Sequence, residues 1–269
     1  MGQRRGPGVL EEIYSAAVYT DERIGQETLR RLASVRRYND WLFDELRAHV
    51  GQRILEVGCG IGNMTGYFLD RELVVAMDIL PEALEAAVTK FPDRPNLKLV
   101  QGDIADPAVL PRLVNYGFDT VACLNVLEHV RADAQALRHM YELLQPGGHL
   151  LLFVPAGRYL YGTLDEGLRH WRRYEREPLR ELVSGQGFEI VRLVYMNLAG
   201  IPGWWLSSRV LKQRILSRRM LGLFNALAPL FIWVERSLQR LGPLPVGQSL
   251  LCIARKPYPL SVPDEARVA

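Results

Sequence analysis

The chain has 269 residues, of which 48% are hydrophobic and 23% are charged, a balance that is ordinary for a folded globular protein. This length buries one large core, so we expect one domain rather than two. The formal net charge of +3 does not argue for nucleic acid as a partner, because electrostatic binding needs basic residues gathered on one face. The three cysteines lack the even count and close spacing of a disulfide framework or a zinc site, which favours a reducing cytoplasm.

Residues 1–50 precede the first predicted strand. Glu11 and Glu12 follow a very short apolar stretch, which leaves no room for the apolar core of a signal peptide, so we expect no export. Gly6 stands where a myristoylation motif needs serine or threonine. From residue 9 onward apolar positions recur at helical spacing, which predicts two or three helices. We interpret residues 1–50 as a helical lid segment.

Seven apolar runs after residue 51 predict seven strands that alternate with amphipathic helices. The predicted strands cover residues 53–58, 73–78, 97–103, 118–125, 147–155, 188–196 and 249–256. The predicted helices start just past residue 62 and cover residues 81–91, 133–144 and 177–187. Near-continuous apolar strands between helices predict a mostly parallel sheet that is covered on both faces. We therefore expect an α/β domain over residues 51–256 and a flexible tail over residues 257–269.

The strongest motif begins at Glu56, at the end of the first predicted strand, and reads E-x-G-x-G-x-G. Its glycines, Gly58, Gly60 and Gly62, let the backbone approach a ligand closely and adopt positive φ without a Cβ clash. A dinucleotide fingerprint needs G-x-G-x-x-G, but its sixth position is Asn63 here. The spacing therefore disfavours a nicotinamide dinucleotide.

Two acidic residues stand at the ends of the next two predicted strands. Asp78 lies twenty residues after Gly58, where a carboxylate can accept both hydroxyl protons of a ribose. Asp103 can accept a hydrogen bond from the exocyclic amine of adenine. A lone acidic residue at a strand end is more often a helix cap. Together with the glycine loop, however, both residues share the carboxyl edge at which doubly wound sheets bind ligands.

The segments ILEVGCGIGNM, MDI, QGDI, LNVLEHV and LLQPGGHLLLFVP resemble the successive motifs of class I S-adenosylmethionine-dependent methyltransferases of the bacterial small-molecule type, over about residues 36–196. The resemblance implies a Rossmann-like fold and S-adenosyl-L-methionine as the cofactor. It implies that the glycine loop holds the methionine part, that the acidic residue ending strand two holds the ribose, and that strand three meets the adenine. The implied cofactor-binding residues are Glu56, Gly58, Gly60, Gly62, Asp78, Ile79, Asp103, Ile104 and Asn125.

Three further residues are candidates near this cofactor. His129 lies just after the fourth strand, where an imidazole can take a proton from a hydroxyl acceptor, or can pack at the start of the next helix. We expect its neighbour Glu128 to orient other groups rather than to react. Tyr38, ahead of the first strand, either covers the cofactor or is a core tyrosine.

The segment DEGLRHWRRY, residues 165–174, follows the fifth strand on the substrate side of the fold. It resembles an Asp…His-x-Arg-Arg-Tyr pattern of one bacterial branch of the family, in which glycine usually replaces Arg169. The functional interpretation makes Asp165 or His170 polarise the acceptor. In the same interpretation, the three residues Arg172, Arg173 and Tyr174 contact the substrate. The two arginines bind an anionic group of it. The alternative is a solvated basic turn.

An insertion over residues 197–248 separates the last two predicted strands and is too long for a plain connection. Basic and aromatic residues mix over residues 203–220, which is typical of membrane surfaces, but no clean apolar face emerges at helical spacing. Residues 220–234 carry no charge, yet they are too short to span a bilayer and contain Pro229, so we expect a buried or interfacial helix. The insertion either roofs the acceptor pocket or completes the core or a dimer interface.

We therefore expect methyl transfer to an oxygen, nitrogen or carbon atom of a small or medium-sized acceptor, with a lipid-linked acceptor as one alternative. Two other classes stay open: a nicotinamide-dependent oxidoreductase, and a peripheral membrane or partner-binding protein without turnover. No metal-ligand spacing is recognisable, so we expect no metal. No basic, aromatic-lined groove points to nucleic acid. We expect a cytoplasmic location, with membrane association through residues 203–234 as an option.

Overall fold

A computed structural model of the protein describes residue 25 and residues 27–259. Its seven strands are β1 (Arg53–Val57), β2 (Leu73–Asp78), β3 (Leu97–Gln101), β4 (Phe118–Leu124), β5 (Leu144–Pro155), β6 (Glu189–Met196) and β7 (Ser249–Arg255). They form one sheet in the order β3-β2-β1-β4-β5-β7-β6. Strands β1 to β5 are parallel, and β7 runs antiparallel to both β5 and β6. The predicted α/β class and the mostly parallel sheet are confirmed.

Helices cover both faces of this sheet. They are α1 (Arg36–Leu46), α2 (Pro81–Lys90), α3 (Leu110–Leu113), α4 (Asp133–Leu143), α5 (Thr163–Gly167), α6 (Arg176–Ser184), α7 (Gly200–Trp205) and α8 (Arg218–Leu241). Residues 27–33 are also helical and lead into α1. Helices α2, α4 and α6 lie where the sequence predicts them. The part of the lid segment before residue 25, and the tail after residue 259, lie outside the described residues.

The helix predicted just past Gly62 is wrong. The structure has only a short 3₁₀ turn there, Thr65–Tyr67. Gly66 lies in the middle of this turn, and glycine is the poorest helix former after proline. The chain must also reach the start of β2 at Leu73 within a few residues while it buries Phe68. A compact turn satisfies both requirements and a regular helix does not.

The core forms two apolar layers, because successive side chains of a strand point to opposite faces of the sheet. One layer joins Leu55, Val75, Val121 and Leu152 to residues of α4 and α6, among them Leu137 and Leu179. The other joins Ile54, Val74, Ala122 and Leu151 to Trp41, Leu42 and Leu46 of α1. The sheet is thus buried on both faces, and its carboxyl edge is left open for a site.

The insertion between β6 and β7 is helical, as predicted, and consists of α7, a π-helical turn (Leu206–Val210) and α8. Helix α8 is anchored by Glu235, whose carboxylate accepts backbone N–H bonds from Asn197 at 2.9 Å and Leu198 at 2.8 Å. Only Ala228 and Glu235 of α8 are buried, so of the two predicted alternatives the structure contradicts the buried helix and leaves the interfacial one open. Within the described part of the chain, α8 is the one helix with the length and apolar composition to cross a membrane.

Candidate active site

A cavity of about 1660 Å³ opens at the carboxyl edge of the parallel strands. Its lining includes the loops that follow the strands, part of α2 (Ala83, Ala86 and Lys90), the helical residues ahead of α1 (Thr28, Leu29 and Leu32) and the insertion (Trp204, Met220 and Phe224). Ligand pockets of proteins are commonly about 300–1,000 Å³. The cavity therefore has room for a cofactor and a second molecule together.

The glycine loop has the backbone conformation that its sequence predicts. Gly58, Gly60 and Gly62 have positive φ angles of 70°, 52° and 75°, a region that residues with a side chain rarely adopt. Added Cβ atoms on Gly58 and Gly62 would collide with the side chains of Val126 and Phe91. Gly58 and Gly60 line the cavity, so the bare backbone of this loop faces any ligand bound there.

Asp78 ties this loop to the end of β2. Its carboxylate accepts the backbone N–H of Gly60 at 2.8 Å and that of Leu80 at 3.0 Å. Each oxygen of a carboxylate has two lone pairs, so each keeps one for a further donor. Since Asp78 also lines the cavity, it can receive two hydroxyl hydrogen bonds from a ligand without leaving the loop.

Below the loop, Glu56 is buried and does not line the cavity. Its Oε2 accepts the hydroxyl of Thr65 at 2.6 Å. Burial raises the pKa of Glu56 to about 8, although the Thr65 hydroxyl opposes the shift. The predicted contact of Glu56 with the cofactor is therefore indirect in this structure, through the loop that it supports.

A cluster of Glu128, His129 and His170 stands at the other end of the cavity. The two imidazole rings lie edge to face with centroids 4.7 Å apart, and His170 Nε2 is 4.0 Å from Glu128 Oε1. Glu128 is only 1% exposed, and neither of its oxygens has a hydrogen-bond partner among the described residues. Such a buried unpaired carboxylate costs free energy, which indicates a polar group that completes the site.

The cluster has perturbed proton affinities. The ring of His129 is open to the cavity, but desolvation by the surrounding cavity wall, reinforced by the charge of His170, lowers the pKa of His129 well below its ordinary value. Burial raises the pKa of Glu128 to about 7, against the opposing charges of His170 and Arg173. His129 is therefore neutral at physiological pH, while Glu128 exchanges its proton close to neutrality.

Asp165 orients this cluster from behind and does not line the cavity. It is fully buried and accepts hydrogen bonds from His170 Nδ1 at 2.9 Å, Arg173 Nε at 2.8 Å and Trp204 Nε1 at 3.2 Å. Burial alone would raise the pKa of Asp165, but the hydrogen bond from His170 and the charge of Arg173 lower it. The predicted catalytic contact of Asp165 with an acceptor is not supported by this placement. Its position assigns it to holding the His170 ring.

Several known proteins are similar to this chain. Ubiquinone biosynthesis O-methyltransferases of Marinobacter nauticus and Alkalilimnicola ehrlichii are 27% identical over 169 residues and 31% identical over 143 residues. These matches cover 57% and 47% of this chain, and 71% and 56% of those proteins. A match to a hybrid PKS-NRPS synthetase of Emericella nidulans, 26% identical over 158 residues, covers 56% of this chain and 3% of that protein. The chain thus spans less than two thirds of most of these curated relatives.

Solved structures share the fold. An S-adenosylmethionine-dependent methyltransferase from Mesorhizobium loti aligns with a TM-score of 0.53 at 18% identity, covering 79% of this chain and 96% of that one. The N-methyltransferase NodS from Bradyrhizobium japonicum, in complex with S-adenosyl-L-homocysteine, aligns with a TM-score of 0.51 at 16% identity, covering 82% and 87%. Residues 55–150 match the family model described as a methyltransferase domain. The chain therefore contains a methyltransferase domain over these residues.

The residues at the sheet edge fit the cofactor of this methyltransferase family, S-adenosyl-L-methionine. Ile79 is 60% exposed, and Ile79 and Ile104 both line the cavity, so they offer apolar surface to a planar base. Asp103 lies beside them, with Oδ1 bonded to the N–H of Ala105 at 2.8 Å. Asn125, in the left-handed region with φ of 55°, also lines the cavity. These positions surround one continuous space with the glycine loop and Asp78.

Tyr38 of the methyltransferase lines the cavity and is also packed among aromatic rings. Its ring meets Phe153 and Phe224 edge to face, with centroids 6.4 and 6.0 Å away. Burial raises the pKa of its hydroxyl, which lies in hydrogen-bond contact with Ser249 and Asn197. Both sequence interpretations, a cover for the cofactor and a core tyrosine, agree with this position.

The three residues predicted to contact the substrate are placed differently. Arg172 does not line the cavity, because its guanidinium bonds to Asp133 at 2.6 Å and to the Arg131 carbonyl at 2.8 Å. The Tyr174 hydroxyl also points to Asp133, at 3.1 Å. Only Arg173 reaches the cavity, and it is held there by Asp165. The placement speaks against anion binding by Arg172 and against substrate contact by Tyr174.

Arg169 explains the local geometry of this loop. Its φ is 58°, a left-handed conformation that favours glycine. This is the position at which the related bacterial branch usually has glycine, so the chain keeps the turn and accepts a strained arginine there. The turn brings His170 back toward Glu128, whose backbone carbonyl accepts the N–H of Trp171 at 2.9 Å.

Two features of the site were not predicted from the sequence. The candidate ligand atoms of Glu128, His129 and His170 lie within 4.8 Å of one another, a spacing that could hold a metal ion. We expected no metal because His170 is distant along the chain, and only the turn at Arg169 brings it in. The second feature is the apolar roof, which is the part of the cavity wall that the insertion forms; the sequence did not predict which of its residues face the cavity. The uncharged run of the insertion was the available signal, and Met220 and Phe224 come from it.

Proposed function

We propose that this methyltransferase moves the methyl group of S-adenosyl-L-methionine to a hydroxyl oxygen of a bulky, largely apolar acceptor. The proposal rests on one cavity that is lined by the glycine loop and Asp78, by the histidine cluster (Glu128, His129 and His170) and by the roof that the insertion forms. The roof side of this cavity is apolar and includes Leu216, Met220, Leu221 and Phe224. An acceptor with a polar reactive end and an apolar body matches the two kinds of wall.

When bound, the cofactor supplies a methyl carbon that its sulfonium already activates. What the chain must add is alignment, exclusion of water and a place for the acceptor proton. Gly58, Gly60 and Asp78 hold the cofactor end of the cavity, as described above. Leu29 covers the loop from the N-terminal side, since a Cβ on Gly60 would stand only 3.3 Å from its side chain. Phe224 lines the same cavity from the insertion.

The histidine cluster favours oxygen as the acceptor atom. A hydroxyl must lose its proton during transfer, whereas a neutral amine attacks without a base. His129 is open to the cavity and neutral, so its ring can accept the hydroxyl hydrogen bond. Glu128 lies within 4.8 Å of it, a distance that one bridging water spans, so the ionised carboxylate can take the hydroxyl proton through that water. The O-methyltransferase names of two relatives are in line with this assignment.

We also propose a cytoplasmic location. All three cysteines of the chain, Cys59, Cys123 and Cys252, are free and buried, which suits a reducing compartment.

The test is an acceptor screen that follows release of S-adenosylhomocysteine with phenols, amines and enolisable ketones of graded apolar size. We expect turnover with bulky hydroxyl compounds and a rate that rises through about pH 7 as Glu128 ionises. His129→Gln should lower kcat by about 100-fold or more and leave the affinity for S-adenosylhomocysteine within a few-fold.

The matched control is His49→Gln, because His49 packs on His149 away from the cavity. It should keep wild-type kcat. Turnover of amines or enolisable ketones with inert hydroxyl compounds would contradict oxygen as the acceptor atom. A fully active His129→Gln variant would contradict the role of the cluster.

A further inference from the structure

The outer face of α8 carries a continuous exposed apolar stripe. At 100° per residue, its members fall within an arc of about 80°. We call it the outer stripe: Leu223, Leu227, Leu230, Val234, Leu238 and Leu241. These side chains are between 38% and 88% exposed, and Trp233 beside them is 67% exposed. Monomeric proteins rarely leave such contiguous apolar surface without a partner.

The charge of the insertion identifies the partner. Between residues 198 and 248 the sequence has seven basic residues and one acidic residue. All seven basic residues are exposed: Arg209, Lys212, Arg214, Arg218, Arg219, Arg236 and Arg240. The acidic residue, Glu235, is buried on two backbone N–H groups. Two of the seven basic residues, Arg218 and Arg236, pair with Glu27 and Glu45 outside the insertion. The other five still make the surroundings of the exposed apolar face basic, which complements an anionic lipid surface.

The fold keeps α8 from spanning that surface. Its opposite face lies on the domain, where Arg37 donates its backbone N–H to Asn225 at 3.1 Å and Arg236 pairs with Glu45 at 3.2 Å. The uncharged run, residues 220–234, is shorter than the roughly 20 residues that cross a bilayer. A helix with one face on protein and one apolar face outward lies in the plane of a membrane.

We propose that the outer stripe docks this protein onto anionic lipid, with α8 lying in the membrane surface. The same insertion faces the cavity with Met220 and Phe224. A membrane-resident acceptor would therefore enter the cavity beneath α8, a consequence that rests on the proposed function. The docking itself does not depend on that function.

The experiment is flotation of the full chain with phosphatidylcholine vesicles, with and without phosphatidylglycerol. We expect flotation only with the anionic vesicles and release by high salt, because salt screens exposed charges. The double variant Leu230→Glu/Trp233→Glu should bind vesicles at least about tenfold more weakly. Arg219→Gln/Arg240→Gln should lose the preference for anionic lipid.

The matched control is Val114→Glu, since Val114 is 55% exposed and lies outside the insertion, in the short turn before the central strand β4. It should float like the wild type. Calorimetry with S-adenosylhomocysteine on every variant separates lost docking from lost folding and from failure of the methyltransferase proposal. A wild type that never floats, or a double variant that floats equally well, overturns the docking. Light scattering gives a third overturning result: a wild type that is a dimer and a double variant that is a monomer. The outer stripe would then pack against a second copy of the chain instead of lipid.

Discussion

Asp78 has two roles in cofactor binding. Its carboxylate accepts a hydrogen bond from the glycine loop, and it also faces the cavity in which the cofactor binds. Asp78→Asn replaces one acceptor oxygen by a donor and removes the charge. We expect the affinity for S-adenosylhomocysteine to fall by roughly tenfold to 100-fold, as the loss of a charge-assisted bond predicts. Titration calorimetry measures this directly. Asp93→Asn, at an exposed loop position with φ of 55° that asparagine tolerates, should bind normally; an equal loss in both variants would contradict the assignment.

Glu56 makes a prediction about stability and pH. Its pKa in the folded protein is about 8, above its ordinary 4.5, so its contribution to stability is full below about pH 4.5 and is lost as pH rises through 8. Glu56→Gln removes this titration. Between about pH 5 and pH 8, we expect the free energy of unfolding of the variant to decline less than that of the wild type, by on the order of 2 kcal/mol.

Urea unfolding at several pH values, without cofactor, measures the difference in decline. The exposed Glu85→Gln on α2 is the control and should follow the wild type. Parallel pH curves for Glu56→Gln and the wild type would show that the buried carboxyl is already ionised in the fold.

At the residue scale, the sequence predicted positions whose role depends on their own backbone. The positive φ angles of the glycine loop follow from E-x-G-x-G-x-G alone. The role of Asp165 does not follow, because its donors Arg173 and Trp204 arrive from a later loop and from the insertion. The same holds for Glu128, whose lack of a partner is a property of packing.

At the scale of elements, the buried strands were predictable because apolar runs between turns define them. The orientation of β7 was not, since the insertion of residues 197–248 ahead of it is long enough to return the chain in either direction. The length of α8 was also missed. The helix continues through Pro229 to Leu241, past the charged residues Glu235 and Arg236 at which the uncharged run ends.

The anchor of α8 gives a prediction at this scale. Glu235→Ala removes the acceptor of the N–H groups of Asn197 and Leu198, and each buried N–H left unpaired costs about 1–3 kcal/mol. We expect faster hydrogen exchange throughout α8, with little change in β1 to β5. Exchange followed by mass spectrometry measures both. The exposed Glu181→Ala on α6 should leave exchange in α8 unchanged, and unaltered exchange in Glu235→Ala would mean that other contacts hold the helix.

At the scale of the whole molecule, the cavity unites parts of the chain that are far apart in sequence. Leu29, the glycine loop and Phe224 all line it, so the N-terminal segment, the sheet edge and the insertion all face a ligand bound there. A ligand that binds only the folded protein stabilises it by mass action. The three parts should therefore respond to the cofactor as one unit, although only the sheet edge carries the motifs of the family.

Because these three parts line one cavity, the effect of S-adenosylhomocysteine on stability can be predicted. At about 100 times its Kd, the ligand adds about 2.7 kcal/mol, which raises Tm by roughly 5 to 10 °C in a domain of this size. NAD at the same concentration should leave Tm unchanged, and Asp78→Asn should lose most of the shift. Hydrogen exchange should slow in residues 27–33 and at the start of α8 as well as in the glycine loop. If hydrogen exchange slows only in the glycine loop, the cofactor does not contact the insertion. The insertion would then contact only the acceptor, because the ligand would bind at the sheet edge without ordering α8.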